Sequence, residues 1–194
     1  MKNFWKNIWN DKGKSESNDL LYLCGWEHLD VSIDSKQIVN NIITKMNIQK
    51  NDSILEIGCG AGFLSREFKD FNFKGIDYSE PLIKKHKELF PNNNTLVAEA
   101  NSLPFEDSSF DKVFGSGVFQ YLPNLDYSLE TINEMIRVAI DSVMLVDLKI
   151  KPTHENHFCF KRELLKEMGF VFSKCLYDEN KSNNYNAYLK LENL

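Results

Sequence analysis

The 194-residue sequence contains no run of more than two consecutive Lys or Arg residues, and its formal net charge is -5. It therefore lacks the basic surface signal typical of proteins that bind a nucleic-acid backbone or an anionic membrane. No apolar run approaches the roughly 20 residues that cross a bilayer, and the N-terminus MKNFWKNIWNDKGKSES lacks the apolar core of a signal peptide. These absences predict a cytoplasmic protein with no nucleic-acid or membrane partner.

Cysteine is also scarce, because the chain has only four cysteines and no C-x-x-C pair. Widely spaced cysteines in or beside apolar runs are typical of reduced, buried thiols. The length suits one sizeable core better than two. We therefore expect residues 1–194 to form a single domain, with an N-terminal segment at 1–33 and a core at 34–194, as a monomer or a homodimer.

From residue 53 onward, short apolar runs alternate with helical patterns, which is typical of βα units and a mainly parallel sheet. The predicted strands are Ser53–Ile57, Phe73–Ile76, Thr95–Glu99, Asp111–Phe114 and Ser142–Leu148. The predicted helices are 34–47, Gly62–Phe71, Ser79–Phe90 and Leu125–Ala139.

The C-terminal fifth of the chain changes character. The stretch FKRELLKEMGF predicts a helix that ends at Gly169, and extended segments follow at Phe170–Leu176 and Tyr185–Leu191. Two strands joined by a polar loop should pair antiparallel, which gives seven strands in all. Residues 1–33 hold all three tryptophans, and we expect this aromatic segment to cover the carboxyl ends of the strands, where open α/β sheets bind ligands.

A carboxylate and three glycines mark the end of the first strand, in the spacing Glu56-x-Gly58-x-Gly60-x-Gly62. A dinucleotide-binding fingerprint would need a further glycine where this chain has Phe63. An acid beside the turn would repel a phosphate and attract an ammonium or a sulfonium. The pattern therefore favours a cationic ligand.

A second carboxylate, Asp77, ends the strand FKGID, 21 residues after Glu56. An acid at this place can accept hydrogen bonds from both hydroxyls of a ribose. A ribose and a cation without a phosphate describe S-adenosylmethionine. The structural alternative is that the glycines form only a tight turn and that both acids cap helices.

Four ordered motifs give the chain a family resemblance: ILEIGCGAGFLS, GIDYSEPLI, AEANSLPFEDSSFDKVFGSGVFQYLPN and INEMIRV. With them, residues 36–148 resemble the class I S-adenosylmethionine-dependent methyltransferases, especially the small bacterial group that includes the quinone-biosynthesis methyltransferases. The resemblance implies an α/β, Rossmann-like three-layer sandwich. Its sheet would have seven mostly parallel strands with an antiparallel C-terminal hairpin, and an N-terminal helical and aromatic lid would cover it.

The resemblance also implies which residues surround S-adenosylmethionine, whose product is S-adenosylhomocysteine. The methionine part would lie near Glu56, Gly58, Cys59 and Gly60, and the ribose near Asp77. The adenine would lie near Tyr78, Glu99, Ala100, Asn101 and Ser102. The reacting methyl group would lie near Ser116, Gly117 and Val118. Many relatives carry His where this chain has Gln120 or Tyr121, so a histidine role does not transfer there.

The acceptor side is less defined by the sequence. The candidate general bases are His28, His157 and His154, in that order, and the candidate acceptor contacts are Trp26, Tyr121 and Tyr22, with Trp5, Trp9 and Phe4 in the same aromatic set. Each of these side chains could instead be structural or solvated. The spacing of His154, His157 and Cys159 is not that of a standard zinc site, and we expect no metal.

The sequence therefore predicts methyl transfer to a small molecule, at an oxygen atom of a metabolite, a natural product or a surface-polysaccharide precursor. A protein that binds S-adenosylmethionine without catalysis is the main alternative. An RNA or protein methyltransferase is disfavoured by the acidic charge, and an NAD-dependent enzyme is disfavoured by Phe63 and Glu56.

Overall fold

The computed structural model describes residues 4–27, 34–176 and 183–191. The helices are α1 (Phe4–Lys14), α2 (Leu20–Leu23), α3 (Ser35–Met46), α4 (Glu80–Leu89), α5 (Leu125–Val138) and α6 (Arg162–Glu167). The strands are β1 (Ser53–Ile57), β2 (Asn72–Asp77), β3 (Asn94–Val97), β4 (Phe110–Ser116), β5 (Ala139–Lys149), β6 (Val171–Lys174) and β7 (Asn184–Lys190). Two 3-10 turns lie at Ser65–Phe68 and Phe119–Tyr121.

The seven strands form one sheet in the order β3-β2-β1-β4-β5-β7-β6. Strands β1 to β5 pair in parallel, and β7 pairs antiparallel with both β5 and β6. The predicted fold class is therefore confirmed, including the antiparallel C-terminal hairpin. Between β1 and β4 the strand order reverses, and open α/β sheets bind their ligands at the carboxyl ends of such strands.

Neighbouring residues of each strand point to opposite sides of the sheet, and both faces of the sheet are buried. On one face, Leu55 and Val113 pack with α5 and α6, and on the other, Ile54 and Phe114 pack with α3. Of these four side chains, none is exposed to solvent. This alternation produces the three layers of the sandwich.

Capping residues set the start of two helices that the sequence predicts. Asp34 accepts a hydrogen bond from Lys36 N at the start of α3, and Ser79 accepts one from Leu82 N at the start of α4. The α3 helix ends at Asn47, which adopts the left-handed conformation. These two helices and α5 therefore begin and end within one or two residues of the predicted positions.

The predicted helix Gly62–Phe71 is wrong, because this segment forms only the 3-10 turn Ser65–Phe68. Gly58, Gly60 and Gly62 all have positive φ values, so the turn after β1 occupies the chain as far as residue 62. The segment 63–71 then leads to β2, which begins at Asn72. The helical spacing of Leu64 and Phe68 is real, and it buries both side chains in the core beside α3.

The strand boundaries differ more at the C-terminal end of the chain. Strand β5 runs over 11 residues, Ala139–Lys149, and is longer than predicted, whereas β6 covers only Val171–Lys174. A shift of register between Leu145 and Leu148 interrupts the pairing of β5 with β7. At this bulge Asp147 has a φ of 64°, a backbone conformation that residues other than glycine rarely adopt.

The N-terminal segment packs beside the carboxyl end of β2. Ser79 Oγ donates a hydrogen bond of 2.7 Å to Asn10 Oδ1 of α1. An ideal Cβ on Gly13 would come within 2.8 Å of the Pro81 side chain and closer still to the backbone of α4. Only glycine allows α1 to lie this close to α4, so Gly13 fixes where the aromatic segment sits.

Three further features bear on the predictions from composition. All four cysteines are free thiols. No helix in residues 4–27, 34–176 and 183–191 combines the length and the apolar character needed to cross a membrane. Over the same residues, no group of three His, Cys, Asp or Glu side chains is arranged to hold a metal ion.

Candidate functional site

A cavity of about 990 Å³, part of it open to solvent, lies at the carboxyl ends of β1, β2 and β4. Its walls come from the turn after β1, the end of β2, the loop after β4 and the N-terminal helices α1 and α2. The cavity is also at the point where the strand order reverses, as the fold predicts.

The glycine turn after β1 is fastened to the end of β2 by its backbone. The N–H groups of Gly58 and Cys59 both donate to Ile76 O, at 2.8 and 2.9 Å, and Gly60 N donates to Asp77 Oδ2 at 3.0 Å. An ideal Cβ on Gly60 would meet no atom within 4 Å, although its φ is +49°. The Gly60 backbone therefore faces open space in the cavity, where a ligand can approach closely.

Glu56 is the last residue but one of β1, and only 3% of its surface is exposed. Its Oε2 atom has no hydrogen-bond partner. Burial, together with the nearby charge of Asp77, raises the pKa of Glu56 to about 8. A buried carboxylate oxygen without a donor is costly, and a bound cation would satisfy it.

Asp77 ends β2 and is also buried in the cavity wall. Its Oδ1 accepts a 2.8 Å hydrogen bond from Ser79 N, and its Oδ2 accepts the bond from Gly60 N. Burial raises the pKa of Asp77 to about 6, although both backbone N–H groups lower it. Each oxygen keeps a second lone pair, so the side chain can still accept hydrogen bonds from two hydroxyls.

The loop after β4 forms the facing wall of the cavity with Ser116, Gly117 and Val118. Gly117 N donates to Val146 O at 3.1 Å, and Gln120 Nε2 donates to Gly117 O at 2.9 Å. Gln120 is itself buried, so the loop is held from both sides. Gln120 therefore supports the loop through its amide group.

At one end of the cavity the walls are formed by Tyr78, Ala98, Ala100, Leu122 and Tyr127. These flat and small side chains, which follow β2 and β3 and begin α5, leave room for a planar group. Burial raises the pKa values of both tyrosines above the ordinary value for a phenol, so their hydroxyls are neutral donors.

Glu99 lies beside this end and does not line the cavity. Its carboxylate accepts a 2.9 Å hydrogen bond from Tyr127 and forms a 3.0 Å ion pair with Lys6 of α1. With Lys6, Tyr78 and Asn101 it lines an adjoining polar cavity. Asn101 donates to Glu130 Oε2 at 2.8 Å.

Ser102 lines neither of these two cavities, although its backbone N–H donates to Glu99 O at 3.3 Å. The structure therefore brings most of the predicted cofactor residues to one cavity and leaves the side chains of Glu99, Asn101 and Ser102 outside it.

The remaining wall is aromatic and comes from the N-terminal segment and the loop after β4. The Trp9 and Tyr121 rings meet edge-on at 5.0 Å, and the Trp26 and Phe63 rings meet edge-on at 5.1 Å. Leu20, Leu23 and Cys24 complete this wall. Of the three predicted acceptor contacts, Trp26 and Tyr121 line the cavity.

Tyr22, the third predicted acceptor contact, lies elsewhere. Lys12 Nζ lies 4.0 Å from the centre of its ring, and the same Nζ donates to Tyr22 O and to Glu27. Its ring packs at the edge of a small apolar cluster with Leu23. Tyr22 therefore supports α2 from outside the cavity.

The predicted general bases are not brought to the cavity within the part of the chain that the structure describes. His154 and His157 pack in an aromatic cluster, and the His157 ring stacks on Trp5 at 5.0 Å. Burial and the neighbouring cation Lys149 lower the pKa of His157 to about 4. The remaining candidate, His28, lies outside the described residues.

His86 has the structural role that its apolar helix face suggests. The ring is fully buried and makes hydrogen-bond contacts with Gly60 O at 2.9 Å and with Ser65 Oγ at 3.0 Å. Burial lowers its pKa, so the ring is neutral near pH 7. His86 therefore braces the glycine turn from behind.

Sequence reasoning missed several residues of the cavity wall, among them Cys24 and Tyr127. Cys24 follows α2, and Tyr127 lies in the first turn of α5. Neither stands in a motif or at the end of a parallel strand, where ligand contacts are expected. Their place depends on how helices pack across the sheet, which the local sequence does not show.

Comparisons with known proteins agree with this geometry. Residues 55–145 match the family model of the methyltransferase domain. The chain is 28% identical over 110 residues to a sterol 4-C-methyltransferase of Caenorhabditis elegans, a match that covers 53% of this chain and 33% of that protein. It is 26% identical over 147 residues to a ubiquinone/menaquinone biosynthesis C-methyltransferase of Campylobacter jejuni, covering 68% of this chain and 61% of that protein. In both cases the match spans less than two thirds of the relative's length.

A solved structure shows the shared fold. Phosphoethanolamine N-methyltransferase 1 of Haemonchus contortus, in complex with phosphoethanolamine and S-adenosylhomocysteine, superposes with a TM-score of 0.74 at 15% sequence identity. The match covers 97% of this chain and 48% of that chain. The resemblance to the class I S-adenosylmethionine-dependent methyltransferases that the four sequence motifs indicate is thus confirmed by a family model and by curated relatives, and the solved structure shows the same fold.

Proposed function

We propose that this protein transfers the methyl group of S-adenosylmethionine to an oxygen atom of a small-molecule acceptor. The observation that carries the proposal is the buried Glu56 Oε2 atom, which has no partner and lies in the same cavity as Asp77. This pair of acids suits a ligand that carries an ammonium and a ribose. It does not suit a pyrophosphate, which would meet two carboxylates and no cation from the described cavity wall.

Each part of the cofactor has matching residues in the cavity. Glu56 would bind the ammonium of the cofactor, and the free lone pairs of Asp77 would accept hydrogen bonds from its ribose hydroxyls. Gly60, which has no side chain and faces open space, would let the cofactor approach the backbone closely. The bound cofactor supplies an electrophilic methyl carbon on a sulfonium. Cys59, Ser116, Gly117 and Val118 would border the methionine part and the reacting methyl group, as the sequence predicts.

The adenine would lie at the end of the cavity that Tyr78 and Ala100 border. Tyr127, on the first turn of α5, would add its ring to the same wall. Glu99 would act from outside the wall, because its carboxylate orients Tyr127 and holds Lys6 of α1. The roles of Asn101 and Ser102 would then be limited to their backbone.

The chain's own contribution to the reaction is alignment and the exclusion of water. Methyl transfer from a sulfonium is an in-line displacement, so the acceptor must be held in line with the breaking bond. The Gly117–Val118 backbone is fixed by hydrogen bonds to β5 and to Gln120, and Trp26 lies next to it. The aromatic wall removes water from the acceptor, which strengthens its nucleophilic oxygen.

An oxygen acceptor is supported by the polar groups on the aromatic side. Tyr121 provides a hydroxyl, and burial raises its pKa, so it stays neutral and can hydrogen-bond to an acceptor oxygen. A hydroxyl acceptor must also lose its proton. We assign that step to His28 from the sequence, and the aromatic cluster around Trp5 argues against His157.

A small acceptor is supported by the relatives as well. The two curated relatives described above are named for methylation at carbon in sterol and in quinone chemistry, so they support a small acceptor and give no support to oxygen as the methylated atom. By analogy, the acceptor of this protein would be a metabolite, a natural product or a precursor of a surface polysaccharide.

Calorimetric titration with S-adenosylmethionine, S-adenosylhomocysteine and NAD in parallel tests the cofactor. We expect micromolar affinity for the first two ligands and no binding of NAD. Incubation with a panel of hydroxyl-bearing metabolites should then release S-adenosylhomocysteine. Binding without release for any acceptor would favour a non-catalytic binding protein, and binding of NAD alone would overturn the proposal.

A further inference from the structure

The buried ring of His86 connects the glycine turn to α4, and no step of the proposed reaction uses it. Its Nδ1 atom lies 2.9 Å from Gly60 O. Its Nε2 atom lies 3.0 Å from Ser65 Oγ and 3.1 Å from Asn93 Nδ2. Burial lowers the pKa of His86, so the ring is neutral near pH 7 and has one donor nitrogen and one acceptor nitrogen.

The partners of the ring decide which nitrogen carries the proton. Gly60 O can only accept, so the proton is on Nδ1. Nε2 then accepts, and the Ser65 hydroxyl and the Asn93 amide donate to it. Asn93 Nδ2 also lies 3.3 Å from Ser65 Oγ. The hydrogen bonds therefore run in one direction, from Asn93 and Ser65 through His86 to Gly60 O. The opposite tautomer would place two acceptors, Nδ1 and Gly60 O, against each other.

Gly60 is held through both of its backbone polar groups. Its N–H donates to Asp77 Oδ2 at 3.0 Å, and its carbonyl oxygen accepts from His86. These groups belong to the two peptide units on either side of the Gly60 Cα atom, so together the bonds restrain both φ and ψ of this residue. The restrained conformation has a φ of +49° and leaves the side of Gly60 toward the cavity open.

Helix α4 and its cap contact the donor side of the cavity at two points. Ser79 N, at the cap, donates to Asp77 Oδ1 at 2.8 Å, and His86 donates to Gly60 O from the second turn of the helix. The bond between Gly60 N and Asp77 Oδ2 closes a ring of contacts that includes α4. The position of the acid relative to the turn therefore depends on His86 as well as on the end of β2.

Gly62 makes room for the imidazole. An ideal Cβ on Gly62 would lie 3.1 Å from His86 Nε2 and 2.7 Å from Phe90 Cδ2, and the φ of this residue is +101°. The His86 and Phe90 rings meet edge-on at 5.9 Å. The glycine turn is thus packed directly on these two rings, and a side chain at residue 62 would push His86 away from Gly60.

From these contacts, and resting on the proposed binding of S-adenosylmethionine, we infer that His86 is a positioning residue of the donor site. The proton on its Nδ1 atom holds Gly60, and through Gly60 it holds Asp77, in the geometry that accepts the cofactor. His86 does not line the main cavity, so it acts through the Gly60 backbone and not by contact with the ligand. Without this proton, Gly60 O would lose its donor and the turn would relax.

Two substitutions separate the two nitrogens of the ring. The amide nitrogen in His86→Asn overlays Nδ1 and can still donate to Gly60 O, whereas the longer amide in His86→Gln reaches the place of Nε2 and can bond only to the Ser65 side. By calorimetry at pH 8, S-adenosylhomocysteine should bind His86→Asn within about threefold of the unmodified protein and His86→Gln about 10-fold or more weakly. Equal weakening in both variants, or unchanged affinity in His86→Gln, would overturn the inference.

Ser65→Ala is the matched control, because it breaks the same network on the other side of the ring. Thermal denaturation should show a lower melting temperature for this variant and for both His86 variants. The affinity of Ser65→Ala for S-adenosylhomocysteine should nevertheless stay within about threefold, since Nδ1 keeps its bond to Gly60 O. A loss as large as that of His86→Gln would show that affinity follows stability alone, and would contradict the positioning role.

A spectrum of the unmodified protein tests the tautomer without any variant. Long-range 1H–15N correlation at pH 8, without ligand, should show His86 neutral with the proton on Nδ1, and a proton on Nε2 would overturn the inference. Failure of the unmodified protein to bind S-adenosylhomocysteine would instead refute the proposed function and leave the expected spectrum unchanged, so the two failures are distinguishable.

Discussion

Replacing Glu56 by Gln should abolish the loss of cofactor affinity that we expect in the unmodified protein as the pH falls below 8. In the free protein the pKa of Glu56 is raised to about 8 by burial and by Asp77, so this carboxyl is largely protonated at pH 6.5. The ammonium of the cofactor needs the carboxylate as its partner. An ordinary α-amino group has a pKa of about 7.8, so the ionised pair is most available close to pH 8.

The size of the effect follows from these two pKa values. The product of the two ionised fractions falls about sevenfold between pH 8 and pH 6.5. The affinity for S-adenosylhomocysteine should fall by the same factor in the unmodified protein. In Glu56→Gln the change should stay below about threefold, and the affinity at pH 8 should be about 10- to 150-fold weaker, because a charge-assisted hydrogen bond contributes about 1.5–3 kcal/mol.

Calorimetry at three pH values between 6.5 and 8, in buffers of different ionisation enthalpy, measures both affinity and proton release. Glu88→Gln is the control, because Glu88 is an exposed acid of α4, and this variant should keep the unmodified pH profile. Affinity that is constant over this range, or that rises toward acid, in the unmodified protein would refute the role of Glu56. So would unchanged affinity of Glu56→Gln at pH 8.

The same raised pKa predicts a gain of stability from the substitution. Between the ordinary pKa of 4.5 and about 8, the folded protein binds more protons at Glu56 than the unfolded chain does. The free energy of unfolding therefore falls as the pH rises through this window. Without ligand, Glu56→Gln should raise the melting temperature at pH 8 and have little effect at pH 4.5, which thermal denaturation at both pH values measures.

Four further substitutions give separate tests. Asp77→Asn should weaken cofactor affinity by about 10-fold or more, because one oxygen acceptor is lost, and equal affinity by calorimetry would contradict the ribose contact. Gly60→Ala should cost about 1–2 kcal/mol in denaturant unfolding from its positive φ and should also weaken the cofactor, since the methyl group enters open cavity space. His157→Gln should leave turnover within twofold in a methyl-transfer assay, because its ring packs outside the cavity, and a 100-fold loss would return it to the base role. His28→Gln should lower kcat without changing affinity for S-adenosylhomocysteine, and an unchanged rate would refute the base predicted from the sequence.

The sheet and the carboxylate side of the site were predictable because their signals are local. Buried parallel strands read as short apolar runs, and the acids and glycines stand directly at their carboxyl ends. Glu56, Gly60 and Asp77 therefore come together in the structure as the spacing indicates. The helix predicted at Gly62–Phe71 was wrong: Gly62 has a positive φ and belongs to the turn after β1, and the segment that follows forms only the 3-10 turn Ser65–Phe68.

The aromatic side was predictable only in outline. That the N-terminal segment covers the strand ends follows from its tryptophans, but the choice of rings depends on packing between distant parts of the chain. Both Trp5 and Trp9 pack on Tyr121, but Trp9 lines the cavity, whereas Trp5 stacks on His157 and does not line it. Periodicity within α1 does not contain this information.

The close seating of α1 on α4 has a consequence for how this protein can change over evolution. In the proposed function, the residues that would hold the donor end or follow the parallel strands, among them Glu56, Asp77 and Gly117, and the indoles that would meet the acceptor come from residues 9 and 26. A substitution or a short insertion before residue 34 can thus reshape what is methylated while the donor machinery stays intact. Under the proposed function, the stretch that holds Trp9 and Trp26 is therefore the natural target for directed evolution toward new acceptors.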